Sequence, residues 1–263
     1  MTTPHTCICK YVLTTQNSED IKKCQSQGKS ILLSVGGATY DEGGFPSASK
    51  ATKAATKFWR TFGPKTKHSK HRPFGDAVID GVDFDLESPT QHLAPFAKRL
   101  RKLMNDHQRK SHAKSRKNFY LTAAPQCPFP DKNVGELLDK VHLDAVFVQF
   151  YNNPHCGLNA FHGGSSGGGF NFERWNQWAK SGSKNKHVKV LIGAPASKSA
   201  APNGGYVGSK QLGEIVKSSK KFESMGGVML WDSSHLGGNQ KGLLGNLKKL
   251  ANGILEGVGN ALD

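Results

Sequence analysis

Residues 80–87 read Asp-Gly-Val-Asp-Phe-Asp-Leu-Glu, and the fold turns on them. In an extended strand alternate residues share a face, so Asp83, Asp85 and Glu87 point one way while Val82, Phe84 and Leu86 point the other. Asp80 has the opposite parity, which puts it at the strand entrance in a structural part. A charged edge strand that resists aggregation is the plain alternative. It fits poorly: the opposite face is strongly apolar and the strand lies mid-sequence between crossovers, so both faces should be buried and three acids would be costly without a purpose.

The spacing supplies one. Same-face neighbours lie about 6.6 Å apart along the backbone, close enough for a chain of hydrogen bonds, and like charges in a low-dielectric interior cannot all ionise. A proton is retained, and at least one group moves toward the working range of a general acid. Glu87, nearest the open carboxyl end of the strand, is the one a substrate reaches. Asp85 would hold and polarise a substrate group, with Asp83 behind it sharing a proton.

Working outward, five further β-rich segments alternate with amphipathic ones: 30–36 (SILLSVG), 118–124 (NFYLTAA), 145–151 (AVFVQFY), 189–194 (KVLIGA) and 227–231 (GVMLW). Each is followed by a polar or glycine-rich loop and a helix-period pattern, as in 91–104, where Leu93, Phe96, Leu100 and Leu103 share a face. This predicts an α/β fold with a parallel sheet and helical crossovers. Leu243, Leu244, Leu247, Leu250, Ile254, Leu255 and Val258 recur at helical spacing and predict a last helix packed on the barrel wall, in preference to a membrane-surface helix. The glycine-serine tract 163–169 is short enough to be a loop, and no internal repeat or linker divides the chain, so residues 1–263 read as one domain.

Composition narrows the classes. The net charge is +16, with basic runs at 65–72 (KTKHSKHR) and 109–117 (RKSHAKSRK). Neither interleaves stacking aromatics with base-reading side chains, and no zinc-finger or RNA-recognition spacing occurs, so no specific nucleic-acid partner is expected. The runs read as solvated surface whose main consequence is salt-sensitive attraction to anionic polymers. Cys7, Cys9, Cys24, Cys127 and Cys156 show no metal-type spacing; no metal or cofactor is expected, and the odd count leaves the redox compartment open. The amino terminus lacks a secretion-signal pattern and nothing is long enough to span a membrane.

The segments SVGG (34–37), DGVDFDLE (80–87), YLTAAPQCPFPD (120–131), VQFYNN (148–153) and GGVMLW (226–231), in that order, resemble family 18 chitinases of the plant and fungal class III type. The resemblance runs from about Asp20 to the final helix and implies a (β/α)₈ barrel acting on a β-1,4-linked N-acetylglucosamine polymer, in a monomer placed outside the cell or in the cell wall. In that family the substrate's own N-acetyl oxygen is the nucleophile. Carried over, Glu87 is the acid/base and Asp85 orients the acetamide. Tyr151 donates its hydroxyl to the acetamide carbonyl, Gln149 and Asn152 bind the reacting sugar, and Trp231 floors it. Tyr151 and Trp231 could instead be core aromatics, and Gln149 could satisfy a buried backbone group. Ser34, Gly36 and Gly37 keep the interior uncluttered beside Asp83. The resemblance also implies a Cys127–Cys156 disulfide. Family members begin with two strands before the SxGG strand, and neither is visible here. Residues 7–14 could supply one poor strand at most, Cys24 is left to Cys7, Cys9 or nothing, and the chain reads as a barrel lacking its first one or two strands, truncated or divergent.

Overall fold

Val82, Phe84 and Leu86 are all buried, as the alternation predicts, and seat β3 (Gly81–Leu86) between two parallel neighbours. The computed structural model describes residues 5–7, 15–111, 117–163 and 169–236, which fall into two compact units, 1–123 with 132–144, and 124–131 with 145–263.

The first unit runs β1 (His5–Cys7), α1 (Thr15–Ser26), β2 (Lys29–Gly37), α2 (Ala48–Phe62), β3, α3 (Leu93–Lys110), β4 (Tyr120–Ala123) and α4 (Gly135–Lys140). Its strands lie in chain order and all parallel. In α2, Ala51, Ala55 and Trp59 recur every four residues and are buried, so one helical stripe faces the core. Ser47 caps the helix by accepting from the Lys50 N–H at 3.2 Å. Phe96 of α3 is the hinge of the packing, stacked on Phe45 at 5.2 Å and edge-on to Phe84 at 6.2 Å. Complete burial of a ring such as Phe84 is worth about 2–3 kcal/mol. The helix predicted over 91–104 starts later, after His92 at φ 58°, and runs on to Lys110, where Asp106 pairs one turn away with both Lys102 and Arg109.

Two basic residues of the runs expected to be solvated are structural instead. Arg72 donates to the carbonyls of Gly63 (2.7 Å), Gly75 (2.8 Å), Ala77 (3.0 Å) and Thr61 (3.3 Å), which closes the long loop after α2. Lys117 pairs with Asp80 at 2.8 Å and donates to the Val78 carbonyl at 2.6 Å.

The second unit contains β5 (Ala145–Gln149), a 3₁₀ turn at Leu158–Ala160, α5 (Phe172–Gln177) passing into a π turn at Trp178–Gly182, β6 (Lys189–Pro195), α6 (Ser209–Ser219) and β7 (Met225–Trp231). Its strands are parallel and in chain order. Val190 pairs with Met225 but Leu191 with Gly227, so Gly226 is the extra residue of a bulge, and Gly227 takes φ 132°. Cys127 and Cys156 are bridged, with Cα atoms 5.8 Å apart. No side chain of β7 is fully buried, in contrast to β5 and β6, whose interiors are.

All six predicted strands are present with shifted ends: β4 and β5 stop earlier than the apolar runs suggest, leaving Ala124 and Tyr151 just past them. β1 is a seventh strand where the sequence allows one at most, and it begins two residues before Cys7. Residues 8–14, Cys9 among them, lie outside the described residues, as do 164–168 of the glycine-serine tract and the predicted last helix. The seven described strands are one fewer than a (β/α)₈ barrel has. Among the described residues no helix is long and apolar enough to cross a membrane.

Candidate active site

Register fixes the acid row. Ser34 of β2, Asp83 of β3 and Thr122 of β4 are level with one another across three strands. The Ser34 hydroxyl donates to Asp83 Oδ2 at 2.9 Å and the Thr122 hydroxyl to Oδ1 at 2.6 Å. Asp83 is 3 % exposed, and burial pushes its carboxyl above the ordinary aspartate range although both hydroxyl bonds pull it down. Asp85 and Glu87 are half-buried, so exposure increases toward the carboxyl end, and Glu87 lies one residue past the end of β3.

Next to Asp85 the backbones close up. Gly36 is level with Asp85, and a Cβ on it would sit 2.2 Å from the Asp85 carbonyl oxygen. Gly36 and Gly37 take φ 111° and 94°, so glycine is required by the chain itself, a stronger reason than leaving the interior open. Ser34 likewise does more than stay small, since it holds Asp83. Beyond Glu87, the Ser88 hydroxyl donates to the Tyr40 carbonyl at 2.6 Å, Gln91 N–H to the Gly43 carbonyl at 2.8 Å and Phe45 N–H to the Gln91 carbonyl at 3.0 Å. The loop after β2 is thereby clamped to the loop that carries Glu87.

Asp80 has the structural part its parity suggests. Its Oδ2 accepts from Ile31 N–H and Gln25 Nε2, both at 2.7 Å, while Oδ1 faces Lys117, so one carboxylate joins α1, β2 and the approach to β4.

In the second unit Gln149 is 6 % exposed and its Nε2 donates to the Ala124 carbonyl at 3.0 Å, the backbone-satisfying role that the sequence left open. Gln149, Gly193 and Met229 are level across β5, β6 and β7, and two residues further on Pro195 is level with Trp231. Trp231 is half-buried at the end of β7. Tyr151 is 4 % exposed and lies against Gly205, where a Cβ would come within 2.5 Å of the Tyr151 Cα. Asn152 takes φ 58°, and its side-chain oxygen accepts from Asn203 N–H at 3.1 Å, so it fixes the neighbouring loop. Thr122 and Met229 were not singled out from the sequence. The signal was there in both cases, since alternation along YLTAA puts Thr122 on the acid face and alternation along VMLW puts Met229 beside Trp231.

A model of the family described as "Glycosyl hydrolases family 18" matches residues 10–214. A class III chitinase of Arthroderma benhamiae is 49 % identical over 94 % of this chain and 71 % of its own length. Endochitinase 33 of Trichoderma harzianum is 45 % identical over 82 % of this chain and 65 % of its own length. Among solved structures, the ICChI chitinase from Ipomoea carnea superimposes with a TM-score of 0.73 at 30 % identity, over 90 % of this chain and 79 % of that one. The xylanase and alpha-amylase inhibitor protein XAIP-II from Scadoxus multiflorus gives 0.72 at 31 % identity, over 89 % and 81 %.

Proposed function

The chain belongs to glycosyl hydrolase family 18, and from that premise we propose that it is an endo-acting chitinase that cleaves β-1,4 links between N-acetylglucosamine units, with Glu87 as acid/base. The observation that carries the reading is the acid row itself: Asp83 buried and held by two hydroxyls, Asp85 and Glu87 half-buried toward the carboxyl end of β3. Active sites of this fold class sit at that end of the strands.

In the proposed reaction Glu87 gives its proton to the glycosidic oxygen as the C1–O bond breaks, and the leaving sugar departs as the alcohol. The substrate's acetamide oxygen attacks C1 from the opposite face and forms an oxazolinium ion. Asp85 accepts the acetamide N–H and offsets the developing positive charge, while Asp83, whose protonated form burial favours, shares a proton with it. Tyr151 donates its hydroxyl to the acetamide oxygen, Gln149 and Asn152 bind the reacting sugar, and Trp231 stacks under its apolar face. Water then attacks C1 and passes a proton to Glu87, so two inversions give net retention. The Cys127–Cys156 bridge supports a place outside the reducing cytosol, extracellular or in the cell wall.

The test is release of soluble N-acetylglucosamine oligomers from colloidal chitin, with Glu87→Gln alongside. Loss of the acid should lower the rate by about 10²–10⁴-fold, and oligomers of mixed length are expected from endo action. Equal rates for the two proteins would remove Glu87 from its role, and release of disaccharide alone would remove the endo reading. A second reading is binding without cleavage, since one structural likeness is described as an inhibitor protein and not as a hydrolase. Tight chitin retention with no release by either protein would select it.

A further inference from the structure

We propose that the groove between α2 and α3 is a second binding site, for a linear acidic polysaccharide of the polyuronate kind, separate from the acid row. The groove encloses about 280 Å³ and is lined by Thr52, Lys53, Thr56, Lys57, Arg60 and Arg99. Its charge is one-sided: α2 contains Lys50, Lys53, Lys57 and Arg60 and no aspartate or glutamate. Lys53, Lys57 and Arg60 follow the i, i+4, i+7 spacing that puts them on one face of α2, and all three are exposed. Among the described residues no carboxylate pairs with any of the four cations of the groove.

Arg99 makes the groove a built feature. Its Nε donates to Thr56 Oγ1 at 3.2 Å, which fixes the guanidinium across the floor half-buried, and Thr56 is itself anchored through its hydroxyl to the Thr52 carbonyl at 3.1 Å. A guanidinium held this way presents its remaining N–H groups as a fork suited to a carboxylate. Along α2 the exposed cations rise by about 6 Å and then 4.5 Å, a ladder that a thin polymer with one charge per unit can follow. No aromatic side chain lines the groove, so it offers nothing for bases of a single-stranded nucleic acid to stack on. A duplex would meet the exposed cations of α2 and is therefore the competing ligand to compare. Such a site would hold the chain on acidic glycan, independently of hydrolysis.

The test titrates the full chain with polygalacturonate and, separately, with duplex DNA, and repeats both with the Lys53→Glu/Lys57→Glu/Arg60→Glu variant. These three side chains are exposed, and circular dichroism confirms that the variant folds. Exposed ion pairs are each worth a factor of about 1.5–5, so losing three should weaken polygalacturonate binding by roughly 3- to 100-fold in the variant, and for the parent it should fall steeply as NaCl rises from about 50 to 500 mM. Hydrolysis of soluble chitin oligomers should be unchanged by the triple substitution. Polygalacturonate affinity equal in parent and variant, or duplex DNA bound as tightly as polygalacturonate and with the same loss, overturns the proposal. Absence of chitin hydrolysis in both proteins would bear on the acid row and leave this readout intact.

Discussion

Asp83 stands against its surroundings: a carboxyl that solvent barely reaches, with two hydroxyls turned toward it. Burial favours its neutral form, so the folded chain holds that proton more tightly than the unfolded chain. The folded state therefore binds more protons from the unfolded aspartate value of about 4 up to the folded one, and stability falls as pH rises through that window. Asp232 slopes the other way. Burial raises it, but hydrogen bonds from Ser234 and His235 outweigh burial and hold it low, so its contribution is lost only as pH falls below the ordinary carboxylate range. For Asp83→Asn we expect the thermal midpoint to decline less than the parent's between pH 4 and 7, since the amide keeps the shape without the charge. Parallel curves for the two proteins would show that Asp83 is not the titrating group. Hydrolysis by the variant should fall, because an amide can donate a hydrogen bond to Asp85 but cannot give up and regain a proton as a carboxyl does.

At the scale of elements, the recurring device is an acid at the start of one strand that takes an amide of the strand before it. Asp80 accepts from Ile31 N–H of β2, and Asp144, paired with Arg101, accepts from Leu121 N–H of β4 at 2.7 Å. The Asp80 carboxylate thereby helps pin the register of β3 on β2. Removing Asp80 deprives Ile31, Gln25 and Lys117 of their partner at once and leaves the lysine uncompensated in a part-buried place. Asp80→Ala should therefore lower stability by about 2–3 kcal/mol, read as a shift in urea midpoint at unchanged slope; a change under about 0.5 kcal/mol would mean that the network is slack. This device explains what the sequence discloses and what it conceals. Parity alone marked Asp80 as structural and Asp83, Asp85 and Glu87 as a row, since strand alternation is local. Charge pattern alone does not mark Arg72 as the staple of its own loop, since that depends on how the loop folds, and nothing local to RKSHAKSRK ties Lys117 to Asp80, because that pair meets only once the crossover is formed. Thr122 lay between these cases, readable by alternation once its strand is aligned with β3.

For the whole molecule the dominant quantity is charge. At +16 the chain repels any cationic polymer over a Debye length of about 10 Å in dilute salt. Chitin that has lost its acetyl groups is such a polymer below neutral pH. We expect the rate on partly deacetylated chitin to rise with NaCl while the rate on fully acetylated oligomers stays level, measured as reducing ends released at pH 5. Identical salt profiles on both substrates would remove long-range charge as a selector. Order is also unevenly distributed. β5 and β6 have buried interiors, whereas every side chain of β7 retains some contact with solvent. Amides along 225–231 should therefore trade their hydrogens for deuterium through brief local openings, long before those of 145–149 require the whole fold to come apart. Trp231, at the end of that strand, would be the first of the residues proposed to hold the sugar to lose its fixed position as the temperature climbs.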